Sequence, residues 1–343
     1  MAEVLGEVSE ALARAGLRAG APPLVVMISG GRDSVCLLDA LARSGCAARM
    51  HALHVNYGLR GSECEEDERL CVELCAQRAV PITVACAPQA PARGNLQAWA
   101  RECRYREAAA LAEALGEGAL IVTAHTASDQ VETILYRLAA SPGRRALLGM
   151  PAREGTLVRP LLSLTREQTT AYCRARGLRW REDPSNAADR FARSRARQAL
   201  LPAFRSLHPA AERNLLRSAA LLRAESEVLE QLVEQELGGG ETIAIERLRA
   251  LPRPLARLVL IELAERVTGG FVPQAGERLD ELIALGERRR SGAPRRRQLH
   301  LGGGAGAVIE EGTLRMVALR RRRGGRVDCG LVVGGSDAEQ GSV

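Results

Sequence analysis

The stretch VVMISGGRDSVCLLDAL, residues 25–41, joins an apolar run to a helical pattern through a turn of glycine and polar residues. Val25 and Ile28 are β-branched and predict a buried strand, whereas Leu38 and Leu41 recur at helical spacing. A strand that passes through two glycines into a helix presents backbone N–H groups at the positive end of the helix dipole. The stretch therefore predicts an anion-binding turn between a strand and a helix.

Four strand-like runs alternate with helical patterns in the first half of the chain. This alternation is typical of βαβ units and predicts a parallel sheet covered by helices on both faces. A further helix is predicted to begin at Thr165, because TREQ forms a capping box with Gln168, and to end at Gly177. The predicted strands are 24–29, 50–56, 82–87 and 119–124, and the predicted helices between them are 35–43, 65–78 and 96–115.

The second half predicts a helical connector and a small basic domain. Residues 210–237 are helical in pattern, 242–270 suggest a small helical unit, and 298–319 suggest a β-hairpin. We therefore predict an α/β protein, in which a parallel-sheet domain is followed by a helical connector and a small basic α+β domain. The predicted boundaries are 1–205 for the parallel-sheet domain, 206–240 for the connector, 241–323 for the basic domain and 324–343 for a disordered glycine-rich tail.

Arginine supplies every one of the 48 basic residues, because the chain contains no lysine. A phosphate loop of the GxxxxGK[ST] type is therefore excluded. The formal charge is +7, and the segment between Asp280 and Arg326 holds twelve arginines against five acidic residues. Such a concentration suits a polyanion whose phosphates release counterions on binding, which predicts contact with nucleic acid.

The cysteines and the apolar segments exclude other classes of protein. None of the nine cysteines forms a C-x-x-C pair, which argues against a zinc ribbon or a disulfide oxidoreductase and predicts free thiols. No apolar run approaches the roughly 18 residues of a membrane span, and the first residues lack the pattern of a signal peptide. We expect a cytoplasmic protein without a membrane partner. The sequence does not determine its oligomeric state, and a homodimer is one of the open alternatives.

Asp33 is the most informative residue of the first turn. A carboxylate inside an anion site is repulsive unless a cation lies between the two, so we expect a Mg²⁺ ion bridging Asp33 to a pyrophosphate group. The pattern S-G-G-x-D-S after a strand resembles the PP-loop of the ATP pyrophosphatase superfamily. Members of that superfamily split ATP between the α- and β-phosphates to adenylate a carbonyl-type oxygen.

Further segments resemble the tRNA(Ile)-lysidine synthetase family, in the family's order and at about its spacing. The resemblance is close over residues 22–205 and loose beyond them, where a helical connector and a small basic domain match the short form of the family. The segments are LHVNYGLRGSECEEDE (53–68), WARECRYREAA (99–109), TAHTASDQVETILYRL (123–138), GMPAREGTLVRPLL (149–162) and EDPSNAADRFARSRARQALLP (182–202).

The resemblance implies a set of site residues. Asp33 and Arg104 would be catalytic, Asp129 and Glu132 would hold the amino groups of free lysine, and Asp33 would bind Mg²⁺. The implied ATP-binding residues are Ser29, Gly30, Gly31, Arg32, Asp33, Ser34, His54 and Asn56. The expected tRNA-binding residues are Arg101, Arg295, Arg296 and Arg297.

Each candidate outside the first turn also has a plain structural interpretation. His54 ends the second strand, where a histidine can simply pack. Arg101 and Arg104 lie three residues apart on one helix face, which suits a phosphate or a polarised carbonyl but also a solvated surface. Asp129 and Glu132 stand one turn apart and would repel unless they share a cation, although an ordinary polar helix start is the alternative.

Three segments depart from the family's pattern. The usual H-H-x-D-D-Q motif here has Thr126 for its second histidine and Ser128 for its first aspartate. Tyr57 replaces a common histidine, and Ser194 replaces a common asparagine. Asp129 and Glu132 remain in place.

The resemblance implies an ATP-dependent ligase that acts on the wobble cytidine of the CAU anticodon of an isoleucine tRNA. The cytosine O2 would attack the α-phosphorus of ATP, and the amine of lysine would then displace AMP from C2 to give lysidine, so that the anticodon reads AUA instead of AUG. One alternative is a tRNA 2-thiocytidine synthetase, against which the missing C-x-x-C argues. Another is a PP-loop relic that binds RNA without catalysis. Small-molecule amidating ligases would leave the basic region without a purpose.

Overall fold

A computed structural model describes residues 2–46, 49–91, 94–140, 143–182, 195–287 and 296–319. The chain divides into two units, Met1–Leu222 and Arg223–Val343. The predicted tail, 324–343, lies outside the described residues. Among those that are described, no helix is both long and apolar enough to cross a membrane.

The first unit is built on a mostly parallel sheet, as the sequence predicts. Its strand order is β3-β2-β1-β4-β6-β5, with parallel pairing throughout except between β5 and β6. The four predicted strands are confirmed, and the structure adds β6 as a fifth parallel strand, too short to show a periodicity. The strands are β1 Leu24–Met27, β2 Met50–Asn56, β3 Ile82–Cys86, β4 Leu120–Val122, β5 Arg153–Glu154 and β6 Leu157–Val158.

Helices pack on both faces of this sheet. The predicted helix at Thr165 is confirmed, with Thr165 as its N-cap and Gln168 completing the capping box. The α-helices are α1 Ala2–Arg14, α2 Arg32–Leu41, α3 Ser62–Ala76, α4 Leu96–Leu115, α5 Ala127–Ala140, α6 Arg144–Leu147, α7 Arg166–Ala175 and α8 Leu201–Leu207. A 3₁₀ turn covers Pro160–Ser163, and π-type turns cover Ala42–Cys46 and Ala196–Leu200.

The position of β1 inside the sheet explains why its apolar run is uninterrupted. Leu24 and Val26 pack with α1, α2 and α7 on one face of the sheet, whereas Val25 and Met27 pack with α4 on the other. Successive side chains of a strand point to opposite faces, so a strand covered on both faces needs apolar residues at every position. Burial of each such side chain contributes about 1.5–3 kcal/mol. Packing on both faces therefore accounts for the unbroken apolar run of β1.

A buried carboxylate joins the helices behind the first turn. Asp39 of α2 is 4% exposed and accepts hydrogen bonds from Arg78, from the Tyr172 hydroxyl and from Arg176. Burial favours the neutral acid, yet the hydrogen bonds and charges of Arg78, with those of Tyr172 and Arg176, keep the pKa of Asp39 below its usual value. Helix α2 is thereby bound to α7 and to the end of α3.

The second unit contains a four-stranded antiparallel sheet of order β7-β10-β9-β8 beside a group of helices. The strands are β7 Thr242–Ala244, β8 Arg296–Gly302, β9 Ala305–Glu310 and β10 Thr313–Ala318. The helices are α9 Ala211–Leu237, α10 Ile245–Ala250, α11 Arg253–Thr268, α12 Gln274–Glu277 and α13 Leu279–Glu287. Helix α9 confirms the long helix predicted over residues 210–237. The boundary between the two units falls inside this helix.

Two expectations for the second unit were wrong in detail. The segment 298–319 forms three antiparallel strands instead of a hairpin, and residues 242–244, expected in a helical unit, pair with β10 as a strand. Ile243 lies opposite Leu314, and both are buried in the core of this unit. A three-residue strand is too short to reveal an alternation, so its partner and not its own sequence decides its structure.

Candidate active site

The carboxyl ends of β1, β2 and β4 open into one cleft with a volume of about 1140 Å³. In an open parallel sheet, ligands bind at this edge, where loops follow the strand ends. Ser29 follows β1, His54 and Asn56 end β2, and His125 follows β4; all four line the cleft. The sequence placed the candidate nucleotide site at this edge, and the structure brings its parts together there.

The first turn is held in shape by hydrogen bonds of its own. The Ser34 hydroxyl donates to the Gly31 carbonyl at 2.8 Å, and the Ser29 amide donates to the Ser34 hydroxyl at 3.2 Å. Gly30 has a φ of +77°, a left-handed conformation that favours glycine. The Gly30 carbonyl accepts from the backbone N–H of Arg181 at 3.0 Å. The turn is therefore preorganised, with Gly31 as the N-cap of α2.

Asp33 lies in the first turn of α2 and faces the cleft. Its Oδ1 accepts a hydrogen bond from the Thr169 hydroxyl at 2.5 Å and from Arg32 Nε at 3.2 Å. Its Oδ2 lies 4.0 Å from Arg166 Nε. Helix α7 thus orients the carboxylate through Thr169, while Arg166 comes close to its second oxygen.

The donor set around Asp33 fits one kind of metal site. Among the described residues, no group of three His, Cys, Asp or Glu side chains could hold a metal ion. Mg²⁺ usually keeps several waters and is held by one or two carboxylates together with substrate phosphates. The hydrogen bonds to Asp33 fall on Oδ1, so Oδ2 could serve as the single protein ligand of a Mg²⁺ ion that a triphosphate brings with it.

His54 and Asn56 are anchored at the end of β2. The His54 ring is 5% exposed, and its Nδ1 lies 3.1 Å from the Ile28 carbonyl, to which it donates as Nδ1–H. Burial lowers the pKa of His54, so the ring is neutral near pH 7. Asn56 donates to Glu68 at 2.8 Å and accepts from the Gly58 amide at 2.9 Å, which fixes the loop that follows β2.

Arg101 and Arg104 are both exposed on α4, but their surroundings differ. Arg104 lines the cleft and makes no hydrogen bond or ion pair within the described part of the chain. The Arg101 guanidinium lies 4.6 Å from the centre of the Tyr105 ring, a cation–π geometry. Arg104 is thus available to a ligand in the cleft, whereas the Arg101 guanidinium lies over the ring of Tyr105.

Asp129 and Glu132 lie together on α5 and are paired with two arginines. Arg166 donates to Asp129 at 3.1 Å and to Glu132 at 3.4 Å. Arg197 donates to the two oxygens of Glu132 at 2.6 and 3.2 Å, and it lies 3.8 Å from Asp129. Glu132 is buried, with 6% exposure, so its charge depends on these partners. The two carboxylates share cations, as their spacing predicts, but here the cations are arginines.

The departures from the family's motif have structural roles. The Thr126 hydroxyl and the Thr126 backbone amide both donate to Asp129 Oδ2 at 2.8 Å. The Asp129 backbone amide donates to the Thr126 hydroxyl at 3.4 Å. The Ser128 hydroxyl accepts from the backbone N–H of Arg166 at 3.1 Å. Thr126 thus orients Asp129 at the start of α5, and Ser128 holds the start of α7 beside it.

His125 is the one histidine of this motif that the sequence retains. Its Nδ1 lies 2.9 Å from the Thr123 hydroxyl. Burial lowers the pKa of His125 to about 4, with nearby Arg159 and Arg104 adding to the shift and Asp129 opposing it. His125 is therefore a neutral ring that can offer a hydrogen bond to a ligand without a change of charge near pH 7.

Three of the four arginines expected to contact tRNA, Arg295, Arg296 and Arg297, belong to the second unit. Arg295 falls outside the described residues, as do the clusters 288–290 and 320–323. Arg296 is half-buried on β8, and once the Gln298 amide is turned over to satisfy its hydrogen bonds, the side-chain oxygen of Gln298 accepts from Arg296 Nε and Nη2 at 3.1 Å. Arg297 donates to the Leu285 carbonyl, so part of its guanidinium supports the fold. Ser194 also falls outside the described residues.

Four residues in the cleft or directly behind it were not singled out from the sequence. They are Arg166, Thr169, Arg181 and Arg197. Each contacts residues more than 30 positions away, so local spacing carries no signal for them. Arg166 is part of the TREQ capping box. Arg197 is part of the segment 182–202, which resembles the family, but the resemblance did not assign a role to Arg197.

Comparison with known proteins identifies the first unit. The family model described as the PP-loop domain matches residues 5–204. A tRNA(Ile)-lysidine synthase from Symbiobacterium thermophilum is 34% identical over 289 residues, which cover 78% of this chain and 60% of the relative. The enzyme of the same name from Thermus thermophilus is 38% identical over 309 residues, covering 88% and 58%. That from Pseudomonas aeruginosa is 37% identical over 219 residues, covering 62% and 48%.

A solved structure shares the fold. The U34-tRNA thiolase NcsA from Methanococcus maripaludis superposes with a TM-score of 0.53 at 15% identity, covering 64% of this chain and 78% of that chain. This likeness shows the fold alone. The chain spans between about half and 60% of the length of the curated relatives it matches, and those relatives support the resemblance to lysidine synthases over the thiocytidine alternative. A family match over more than half of its residues, with the SGGRDS turn at the cleft, shows that this chain belongs to the PP-loop family.

Proposed function

We propose that this chain uses ATP to join lysine to C2 of the wobble cytidine in the CAU anticodon of tRNA(Ile), giving lysidine. The observation that carries the proposal is the arrangement of one cleft. The PP-loop with Asp33 lies at one side of that cleft, and the Asp129–Glu132 pair lies beside it. The Arg166 side chain contacts both sides. A nucleotide and an amine could therefore meet in the same space.

The first step would be adenylation of the cytosine. The O2 atom attacks the α-phosphorus, the bond from that phosphorus to the bridging oxygen of the β-phosphate breaks, and pyrophosphate leaves. Backbone N–H groups of the turn and the N-terminus of α2 suit the phosphates, because they are preorganised donors at the positive end of a helix. Asp33 would hold a Mg²⁺ ion, and the ion would supply positive charge that favours departure of pyrophosphate. Thr169 and Arg32 fix the Asp33 carboxylate in place.

The second step would be attack on C2 by a lysine amine that has lost its proton to solvent; the bond from C2 to the adenylate oxygen breaks, AMP leaves, and the nitrogen bonded to C2 gives up one further proton. Lysine carries two ammonium groups and one carboxylate at neutral pH. Asp129 and Glu132 provide negative charge for an ammonium group, and Arg197 provides positive charge for the carboxylate. A cluster of both signs suits a zwitterion better than a lone acidic pair would.

Arg104 and His125 face the same cleft and suit the base. Arg104 has no hydrogen-bond or ion-pair partner in the described chain, and an exposed guanidinium fork can polarise the ring or contact the α-phosphate. His125 is neutral and could donate or accept one hydrogen bond at the edge of a splayed base. Catalysis would then depend on positioning and on charge stabilisation without a covalent enzyme intermediate.

The basic second unit would bind the body of the tRNA. Its arginines between Asp280 and Arg326 supply the charge surplus of the whole chain, and phosphate contacts need no base readout. Arg101, on the rim near Arg104, would contact the anticodon loop. With a tRNA as substrate, we expect the reaction to take place in the cytoplasm.

The test is incorporation of radiolabelled lysine into RNA. The protein is incubated with labelled L-lysine, ATP, Mg²⁺ and a tRNA(Ile) transcript with the CAU anticodon. The expected result is label in the RNA with release of one AMP per lysine. A transcript in which the wobble cytidine is replaced by guanosine is the matched control and should receive no label. Tight tRNA binding without label and without AMP would indicate the non-catalytic relic instead.

A further inference from the structure

Arg166 contacts three carboxylates that belong to both halves of the proposed site. Its Nε lies 4.0 Å from Asp33, its Nη2 3.1 Å from Asp129 and its Nη1 3.4 Å from Glu132. Its side chain is 23% exposed, so the guanidinium is partly withdrawn from water. One positive charge is thus shared between the nucleotide side of the cleft and the amine side.

The backbone of Arg166 is fixed although its side chain spans the cleft. Arg166 follows the capping box of Thr165 as the first residue of α7, and its N–H donates to the Ser128 hydroxyl at 3.1 Å. Thr169, one turn later, hydrogen-bonds Asp33. The backbone of Arg166 is therefore anchored, and its contacts can change by rotation of its side chain between neighbouring acceptors.

Arg197 provides an internal comparison. It contacts the same pair, Asp129 and Glu132. Among the described residues, Arg197 has no ion pair with Asp33 at a distance of 4.0 Å or less. Two arginines therefore compete with any ammonium group for the same carboxylates, but Arg166 alone of the two also pairs with the carboxylate of the PP-loop.

We propose that Arg166 is a positioning residue that couples the two substrates, so that bound nucleotide opens the amine site for lysine. This inference rests on the proposed function. A triphosphate at the PP-loop adds several negative charges near Asp33 and attracts the guanidinium of Arg166. As Arg166 turns toward the phosphates, Asp129 and Glu132 lose one of their two cations, and the ammonium group of lysine can take its place.

The coupling is reciprocal by thermodynamic linkage. If nucleotide tightens lysine binding by some factor, lysine tightens nucleotide binding by the same factor. Coupling free energies between sites typically correspond to factors of about 5 to 150. The arrangement would keep the enzyme from holding lysine beside an empty nucleotide site.

The test is calorimetric titration of L-lysine into the full chain, with and without saturating Mg²⁺ and α,β-methylene-ATP, which is not split between its α- and β-phosphates. For the wild type, the analogue should lower the Kd of lysine by about fivefold or more. For Arg166→Gln, lysine should bind more tightly than to the wild type without nucleotide, and the analogue should change its Kd by less than about twofold.

Two further variants separate coupling from a general disturbance of the cluster. Arg197→Gln is the matched control and should change lysine affinity by a similar factor in both nucleotide states, leaving the wild-type ratio intact. Arg166→Lys keeps the charge but cannot reach three carboxylates at once, so its ratio should fall between those of the wild type and Arg166→Gln. This variant also carries the test if Arg166→Gln does not fold.

The possible failures are distinguishable. If Arg166→Gln and Arg166→Lys keep the wild-type ratio, or if Arg197→Gln loses it equally, the coupling is refuted while the proposed function stands. If wild-type lysine binding is absent in both nucleotide states, the amine half of the proposed function is refuted and the coupling with it.

Discussion

Replacement of Asp39 by alanine tests whether the buried contact between α2 and α7 holds the site together. Asp39 is 4% exposed, and the Arg78 side chain that donates two hydrogen bonds to it is 10% exposed. Removal of one partner from a buried ion pair costs about 3–5 kcal/mol, because the other charge remains buried without compensation. We expect Asp39→Ala to lower the free energy of unfolding by about this amount, a large part of the roughly 5–15 kcal/mol typical of a domain.

The measurement is urea denaturation followed by circular dichroism at pH 7, with Tyr172→Phe as the graded control. Tyr172 contributes one hydroxyl bond of 2.9 Å to Asp39, so its loss should cost about 1–2 kcal/mol. The double variant should cost less than the sum of the two, because both changes remove the same hydrogen bond. A loss below about 1 kcal/mol for Asp39→Ala would refute the reasoning.

The same ion pair predicts the sign of a pH effect. The pKa of Asp39 is held below its usual value in the folded chain, so its contribution to stability is present above the ordinary aspartate pKa of about 4. The contribution is lost as the pH falls through the lower pKa of the folded state. The difference in stability between wild type and Asp39→Ala should therefore be constant between about pH 5 and 8 and shrink below about pH 4.

Three further predictions concern the substrates. Glu132→Gln should raise the KM for lysine at least about tenfold with little change in the KM for ATP, because the substitution removes a buried negative charge that is proposed to hold an ammonium group of lysine. An equal rise in both KM values would contradict the assignment. Replacement of Arg295 and Arg296 by alanine should weaken tRNA binding and flatten its dependence on salt in filter-binding assays, by about one unit of slope for each phosphate that is no longer neutralised, whereas Arg297→Ala should also lower thermal stability. Since the pKa of His125 is about 4, the pH profile of kcat between about pH 6 and 8 should be the same in the wild type and in His125→Asn, whatever the change in kcat itself.

The sequence predicts the first unit well, because its signals are local. The β-branched run at β1 and the capping box at Thr165 each specify an element within a few residues. The second unit is predicted less well. Its strand β7 has three residues and depends on pairing with β10, which lies far along the chain, and no local pattern records that pairing.

The candidate site divides along the same line. The PP-loop and the pair Asp129–Glu132 are visible in the sequence, because the residues of each lie close together along the chain. The arginines that neutralise this pair come from α7 and from the turn at Ala196–Leu200, so only the fold brings them into contact with the carboxylates. The sequence predicts a cation between the carboxylates; it cannot show that the chain itself provides one.

The most direct test of the central claim is to identify which phosphate bond of ATP is broken. The protein is incubated with α-labelled ATP, Mg²⁺, L-lysine and the CAU transcript, and the nucleotide products are separated by thin-layer chromatography. We predict AMP as the labelled product, formed only when the RNA is present and lost in Asp33→Ala. Formation of labelled ADP, or AMP release at the wild-type rate by Asp33→Ala, would contradict the assignment of the PP-loop as the site of chemistry at the α-phosphorus.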